Sequence, residues 1–200
     1  MGTSDIREPI QKRSIEKKEK IIESGFKLIC KQGYHNTNTA EIAKAAGVST
    51  GIVYQYFEDK HDIFICGLEK YADNIFYPIP EFSNEKFNKK DFPVIIENLI
   101  NNYIENHKLS ESAHQEIMAM THSDEKVSYY FFKREMEITE MISNYLSSNG
   151  FSKENLIERV HIMIGIIDNL CHEIVYHKHK EIDYDIMKKI VIENILTMFK

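Results

Sequence analysis

Cysteine is scarce in this 200-residue chain: Cys30, Cys66 and Cys171 stand far apart and form no C-x-x-C pair. That excludes a disulfide framework and a zinc ribbon, and apolar neighbours mark all three as reduced core residues. Glycine (8) and proline (4) are sparse too. A many-stranded sandwich or barrel needs a turn every ~8–12 residues, so that class is disfavoured. Long apolar runs are missing: the longest, Ile162-Met163-Ile164-Gly165-Ile166-Ile167, falls far short of the ~20 residues of a membrane span. The polar stretch before Lys20 has no signal-peptide core. These absences lead us to expect a soluble, cytoplasmic protein with no membrane partner.

Positive charge is also short. The formal net charge is −6, from 25 Lys+Arg against 31 Asp+Glu, which over the whole chain argues against a nucleic-acid partner. The deficit is uneven, however. Residues 1–70 carry 11 basic against 10 acidic groups, and residues 71–200 carry 14 against 21. The acidity therefore belongs to the C-terminal part and leaves the N-terminal part free to meet DNA.

What is present is helical in period throughout, with 42% hydrophobic and 28% charged residues. Residues 1–14, with Arg7, Pro9, Lys12 and Arg13, read as a flexible arm. Ile22, Phe26 and Ile29 predict an amphipathic helix from about Ser14 to Gln32, stopped by Gly33. Gly25 inside it is costly unless something packs closely there. Asn38 and Glu41 form a capping box for a short helix that ends at Gly47. Ser49 caps a third helix with Val53 and Phe57 inward, and Asp59 with Asp62 opens a fourth that runs to about Phe76. Pro78 and Pro80 begin a connector over 78–91. Beyond it, helices are expected from Asp91 to His107, Ser110 to Thr121, Asp124 to Ser148, Ser152 to His177 and Tyr184 to Phe199.

Two short helices joined at Gly47-Val48 make a helix-turn-helix, a unit that lays its second helix in the DNA major groove. With Val53 buried, Thr50, Gly51, Ile52, Tyr54, Gln55 and Tyr56 become the outward candidates. Gln reads adenine edges, Thr is tolerant, and Gly lets the backbone come close.

The spacing here matches a known pattern. The first-helix stripe closed by Gly33-Tyr34 is followed by Thr37 and Thr39, then Glu41-Ile42-Ala43, then Ala46-Gly47-Val48-Ser49. Gly51, Tyr54, Tyr56-Phe57 and Lys60 complete the series. Over about residues 15–68 the chain resembles the DNA-binding domain of the tetracycline-repressor (TetR) family of bacterial regulators. The resemblance implies an all-α protein: a three-helix DNA-binding domain at 15–68, a fourth helix to about 77, and a helical ligand-sensing and dimerisation domain over 78–200. It further implies phosphate contacts from Thr39, Tyr54, Tyr56 and Lys60, and base-edge contacts from Thr50, Gly51 and Gln55. Thr50 and Glu58 depart from the basic residues common in the family; Arg7, Lys12, Arg13, Lys17, Lys18 and Lys44 are then the sources of positive charge.

Residues 91–200 show no nucleophile elbow, Gly-rich phosphate loop or H-E-x-x-H, so no catalytic residue, cofactor or metal is assigned and no enzyme is expected. Large deformable side chains there suit a small-molecule pocket, with Tyr103, His107, His114, Met118, Tyr129, Phe132 and Met136 as its candidates. The 152–177 helix is apolar nearly all round and must bury more than one side. Ile162, Ile166 and Leu170 of this helix, with Ile190 and Ile195 of the last helix, are the candidates for a homodimer interface. The expected function is a repressor that binds a pseudo-palindromic double-stranded operator as a homodimer and is released by a small-molecule effector. One rival uses Glu111/His114 and Glu158/His161 as the two E-x-x-H pairs of a helical di-metal carboxylate site, helped by Glu97 and Glu137.

Overall fold

The computed structural model describes residues 12–76, 87–109 and 111–200. Among these every regular element is helical, with no strand. The arm up to residue 11 and the connector at 77–86 lie outside the described residues. Lys12, Arg13 and Ser14, expected in the arm, instead form the first turn of α1 (Lys12–Gln32). Then come α2 (Thr39–Ala46), α3 (Thr50–Val53), α4 (Lys60–Phe76), a 3₁₀ turn at Lys89–Asp91, α5 (Phe92–Leu109), α6 (Glu111–Ser123), α7 (Glu125–Ser148), α8 (Leu156–Val175) and α9 (Tyr184–Met198).

The chain falls into two compact units. One comprises residues 1–75 together with 112–128; the other comprises 76–111 together with 129–200. Segment 112–128 thus groups with the N-terminal helices, although it lies far along the sequence.

In the first unit, Ile21, Phe26 and Ile29 of α1 are buried with Ile42 and Ala46 of α2, Val53 of α3, and Ile63, Phe64 and Leu68 of α4. Gly25 has the packing reason the sequence demanded. A Cβ there would lie 2.6 Å from Ile63 Cγ2 and 3.0 Å from Ile42 Cγ2, so the helices meet at hydrogen atoms. Gly67 does the same from α4, since its Cβ would lie 2.5–2.6 Å from Phe26. Gly33 (φ +92°) and Gly47 (φ +67°) close α1 and α2 in the left-handed region, where a side chain is strained.

In the second unit, Phe92, Ile96, Ile100 and Ile104 of α5 pack with Ile138, Ile142 and Leu146 of α7, Val160, Met163, Ile167 and Leu170 of α8, and Ile195 of α9. Rings of Phe92, Phe151 and Phe199 close one end, with centroids 4.9 and 5.5 Å from Phe92. Ser152 does not cap a helix. α8 starts at Leu156 after Asn155 (φ +49°), and the preceding turn is held by Arg159, whose guanidinium donates to the Ser152 and Glu154 carbonyls.

Candidate nucleic-acid interface

The helix-turn-helix is built from its caps. Asn38 Oδ1 accepts the Glu41 N–H and Glu41 Oε2 accepts the Asn38 N–H, both at 3.0 Å, so the α2 capping box is complete. Thr39 is the first helical residue and is half-buried. The loop before it cannot satisfy its own polar groups and borrows partners from elsewhere. Thr37 Oγ1 donates to the Gly33 carbonyl at 2.9 Å. Lys60 Nζ, at the start of α4, donates to the carbonyls of Tyr34 (2.6 Å) and Thr37 (2.8 Å) and lies 4.4 Å from the centre of the Tyr34 ring. Two of its three protons are therefore engaged inside the fold. Lys60 thus braces the α1–α2 loop.

The second helix is shorter than expected. α3 spans only Thr50–Val53, and the chain leaves it through tight bonds from the Gln55, Tyr56 and Phe57 amides to the Ile52 and Val53 carbonyls. Ser49 stands at the cap position, although its side chain makes no capping bond. Gly51 and Gln55 are exposed, Tyr54 is 49% exposed and Thr50 is half-buried. Tyr56 departs from expectation. It is only 9% exposed, because its ring packs under the turn and its hydroxyl shares a 2.6 Å hydrogen bond with Ser14 of α1. The outward face is thus Thr50, Gly51, Tyr54 and Gln55.

Behind this face, Asp59 Oδ1 accepts the His61 and Asp62 amides, and Asp62 Oδ2 accepts the Glu58 amide, capping α4. His61 Nε2 lies 2.9 Å from Asp124 Oδ2, while Asp124 Oδ1 accepts the Lys126 and Val127 amides. Burial works against the Asp124 carboxylate, but these hydrogen bonds and the His61 ring outweigh it and hold its pKa below the ordinary value. Asp59, His61 and Asp62 bring ligand-type atoms within 4.8 Å of one another. Each already serves a cap or an ion pair. Sequence reasoning overlooked Ser14, Glu116 and the His61–Asp124 pair, since an exposed-looking Glu or His on an amphipathic helix carries no mark of a partner 60 to 80 residues away.

The arrangement has counterparts. Residues 21–65 match the sequence model of the family described as bacterial regulatory proteins, tetR family. The HTH-type transcriptional regulator HbdR of Aromatoleum sp. (strain CIB) is 43% identical over 65 residues, 32% of this chain. The uncharacterized HTH-type transcriptional regulator YerO of Bacillus subtilis (strain 168) is 25% identical over 190 residues, 90% of this chain. Residues 21–65 therefore carry the tetR-family domain. The chain's alignments span 28% of the length of HbdR and 63% of that of YerO. A TetR-family transcriptional regulator from Mesorhizobium loti shares the fold, with a TM-score of 0.73 at 17% identity over 94% of this chain and 99% of its own.

The remaining expected residues divide between the two units. His114 is buried and Met118 half-buried in the unit of the DNA-reading helices. In the other unit, Tyr103 is buried with its hydroxyl donating to Asp168 Oδ1 at 3.3 Å, and His107 is buried with Nδ1 3.0 Å from the Tyr103 carbonyl. Burial pushes the His107 pKa down, more than the Tyr103 carbonyl and Asp168 raise it, and favours the neutral ring.

Tyr129 (69% exposed), Phe132 (67%) and Met136 (42%) face outward, so they line no interior pocket of this unit. The inward stripe of α7 is Ile138, Ile142 and Leu146; at about 100° per residue Tyr129 and Met136 fall on the far side and Phe132 on the flank. The interface set divides as well. Ile162 and Ile190 are each 51% exposed and Ile166 is half-buried, whereas Leu170 and Ile195 are fully buried in the chain's own core and leave the interface set. The di-metal alternative is overturned. Glu97, Glu137, Glu158 and His161 are all exposed, with Glu137 paired to Arg134 and Glu97 to Lys188, so no ring of inward carboxylates forms. No helix among the described residues is long and apolar enough to cross a membrane.

Proposed function

We propose that the protein is a DNA-binding transcription regulator, acting as a repressor, that grips a pseudo-palindromic operator as a homodimer and is released by a small molecule. One observation carries this reading. The face made by Thr50, Gly51, Tyr54 and Gln55 is exposed at the tip of a capped helix-turn-helix, and a Cβ on Gly51 would meet nothing within 4 Å. That surface has the residue types that read base edges and touch phosphates. Exposed Ile162, Ile186 and Ile190 on α8 and α9 support a second copy as partner, because two such heads dock only when held about one DNA turn (~34–36 Å) apart. The effector reading draws support from buried Tyr103 and His107 beside the half-exposed Asp168, polar groups that suit a small molecule of complementary polarity. The protein then acts by binding rather than turnover.

Selection of duplexes from a random pool by the purified chain is the test. A pseudo-palindrome is the expected product. Against that duplex, Tyr54→Ala should weaken binding to every sequence, while Gln55→Ala should relax preference at one position by about 1–3 kcal/mol. A pool with no enriched two-fold sequence would falsify the reading.

A further inference from the structure

The loop between α1 and α2 decides where the DNA-facing end of α2 lies, and a side chain from far along the chain holds that loop. Glu116 stands on α6, 82 residues after Tyr34, and its Oε1 accepts the Tyr34 N–H at 2.5 Å. That amide follows Gly33 directly, where α1 turns off through a left-handed residue, so the helix offers it no carbonyl. Both carboxylate oxygens lie against the turn, 3.6 and 4.0 Å from where a Gly33 Cβ would stand. In the same loop the Tyr34 and Thr37 carbonyls are taken by the Lys60 ammonium. An anion thus holds the loop's amide and a cation holds its carbonyls. Segment 112–128 makes a second tie nearby, through Asp124 to His61.

We propose that Glu116 is a positioning residue for DNA reading: it fixes loop 33–38, and with it the N-terminus of α2. This rests on the DNA-binding reading and adds a positioning residue to it. The segment packs with the reading head, yet the chain passes into the other unit at residue 111 on one side and at residue 129 on the other.

The test uses the full chain, amide hydrogen exchange at Tyr34, and titration of the duplex that the parent protein selects. Glu116→Ala should expose the Tyr34 amide, with exchange faster by about tenfold or more, and weaken duplex binding by about tenfold. Glu116→Gln keeps an acceptor oxygen without the charge and should lose only about threefold in binding, with Tyr34 exchange between parent and alanine variant. A merely structural role predicts a lowered melting temperature with duplex affinity of the folded protein unchanged, and that result overturns the proposal. So does parental Tyr34 exchange in Glu116→Ala. If Glu116→Ala does not fold, Glu116→Gln carries the test, and parental values of both readouts overturn it. If the parent selects no duplex, the DNA-binding reading falls and takes this proposal with it; if the parent binds and Glu116→Ala binds equally, only the proposal falls.

Discussion

At Gly51 the backbone is ordinary helix and a methyl group would enter open space. A helical glycine costs up to about 1 kcal/mol against alanine, so the fold gains nothing from it. Gly51→Ala should therefore raise the thermal midpoint while weakening binding of the selected duplex, because the added methyl stands where DNA must approach. Thermal denaturation and duplex titration check the two halves, and unchanged or tighter binding would remove Gly51 from the interface. Two tyrosines nearby make the complementary point. Tyr54 and Tyr56 are alike in the sequence, yet Tyr54 is half-exposed while the Tyr56 hydroxyl belongs to Ser14. Lys60 is a cation that spends two of its three protons on loop carbonyls.

α1 and α4 are placed by what they lack. Gly25 lets Ile63 approach α1, and Gly67 lets Phe26 approach α4, each closer than any Cβ would permit. The blocking atoms are a branched methyl and the root of an aromatic ring in a filled core, so neither can swing aside. Gly67→Ala should cost about 1–3 kcal/mol of stability through overpacking, despite alanine's better helix propensity. Urea denaturation reads this directly, with exposed Lys27→Ala as a neutral control; a Gly67→Ala chain as stable as the parent would mean that the helices can separate freely. α3 illustrates the opposite dependence. Four residues cannot hold a helix by themselves, and its place depends on Val53 being buried and on the capped α2 before it.

For the whole molecule, the arrangement of apolar surface matters more than its amount. Leu170 and Ile195 are consumed by the chain's own core, whereas Ile162, Ile186 and Ile190 remain about half-exposed on α8 and α9. A second copy covering these residues is the proposed use. Ile162→Asp with Ile190→Asp should leave the monomer folded, shift sedimentation from dimer to monomer, and lower affinity for a two-half-site duplex far more than for a single half-site. A double variant that sediments like the parent would place the interface elsewhere. Leu170→Ala serves as the contrast: it should cost about 2–5 kcal/mol of stability by opening a cavity.

The sequence by itself determined the helices, their main stops and the tetR-family domain. Those depend on neighbours three or four residues apart, as in the Asn38–Glu41 box, on the left-handed glycines at 33 and 47, and on the 3.6-residue stripes. It also required a packing reason for Gly25, without saying what would pack there. Local patterning cannot say which polar group finds a distant partner, because such a partner exists only once the chain is folded. Tertiary structure alone decided that Tyr56 faces inward and that Lys60 braces the α1–α2 loop, that Tyr129, Phe132 and Met136 face out, and that segment 112–128 joins the N-terminal helices. It alone paired Glu116 with the amide of Tyr34 and Asp124 with His61. The physical reason is that an unpaired amide or carbonyl at a helix end must be met by whichever donor or acceptor the packing brings near, at any sequence separation.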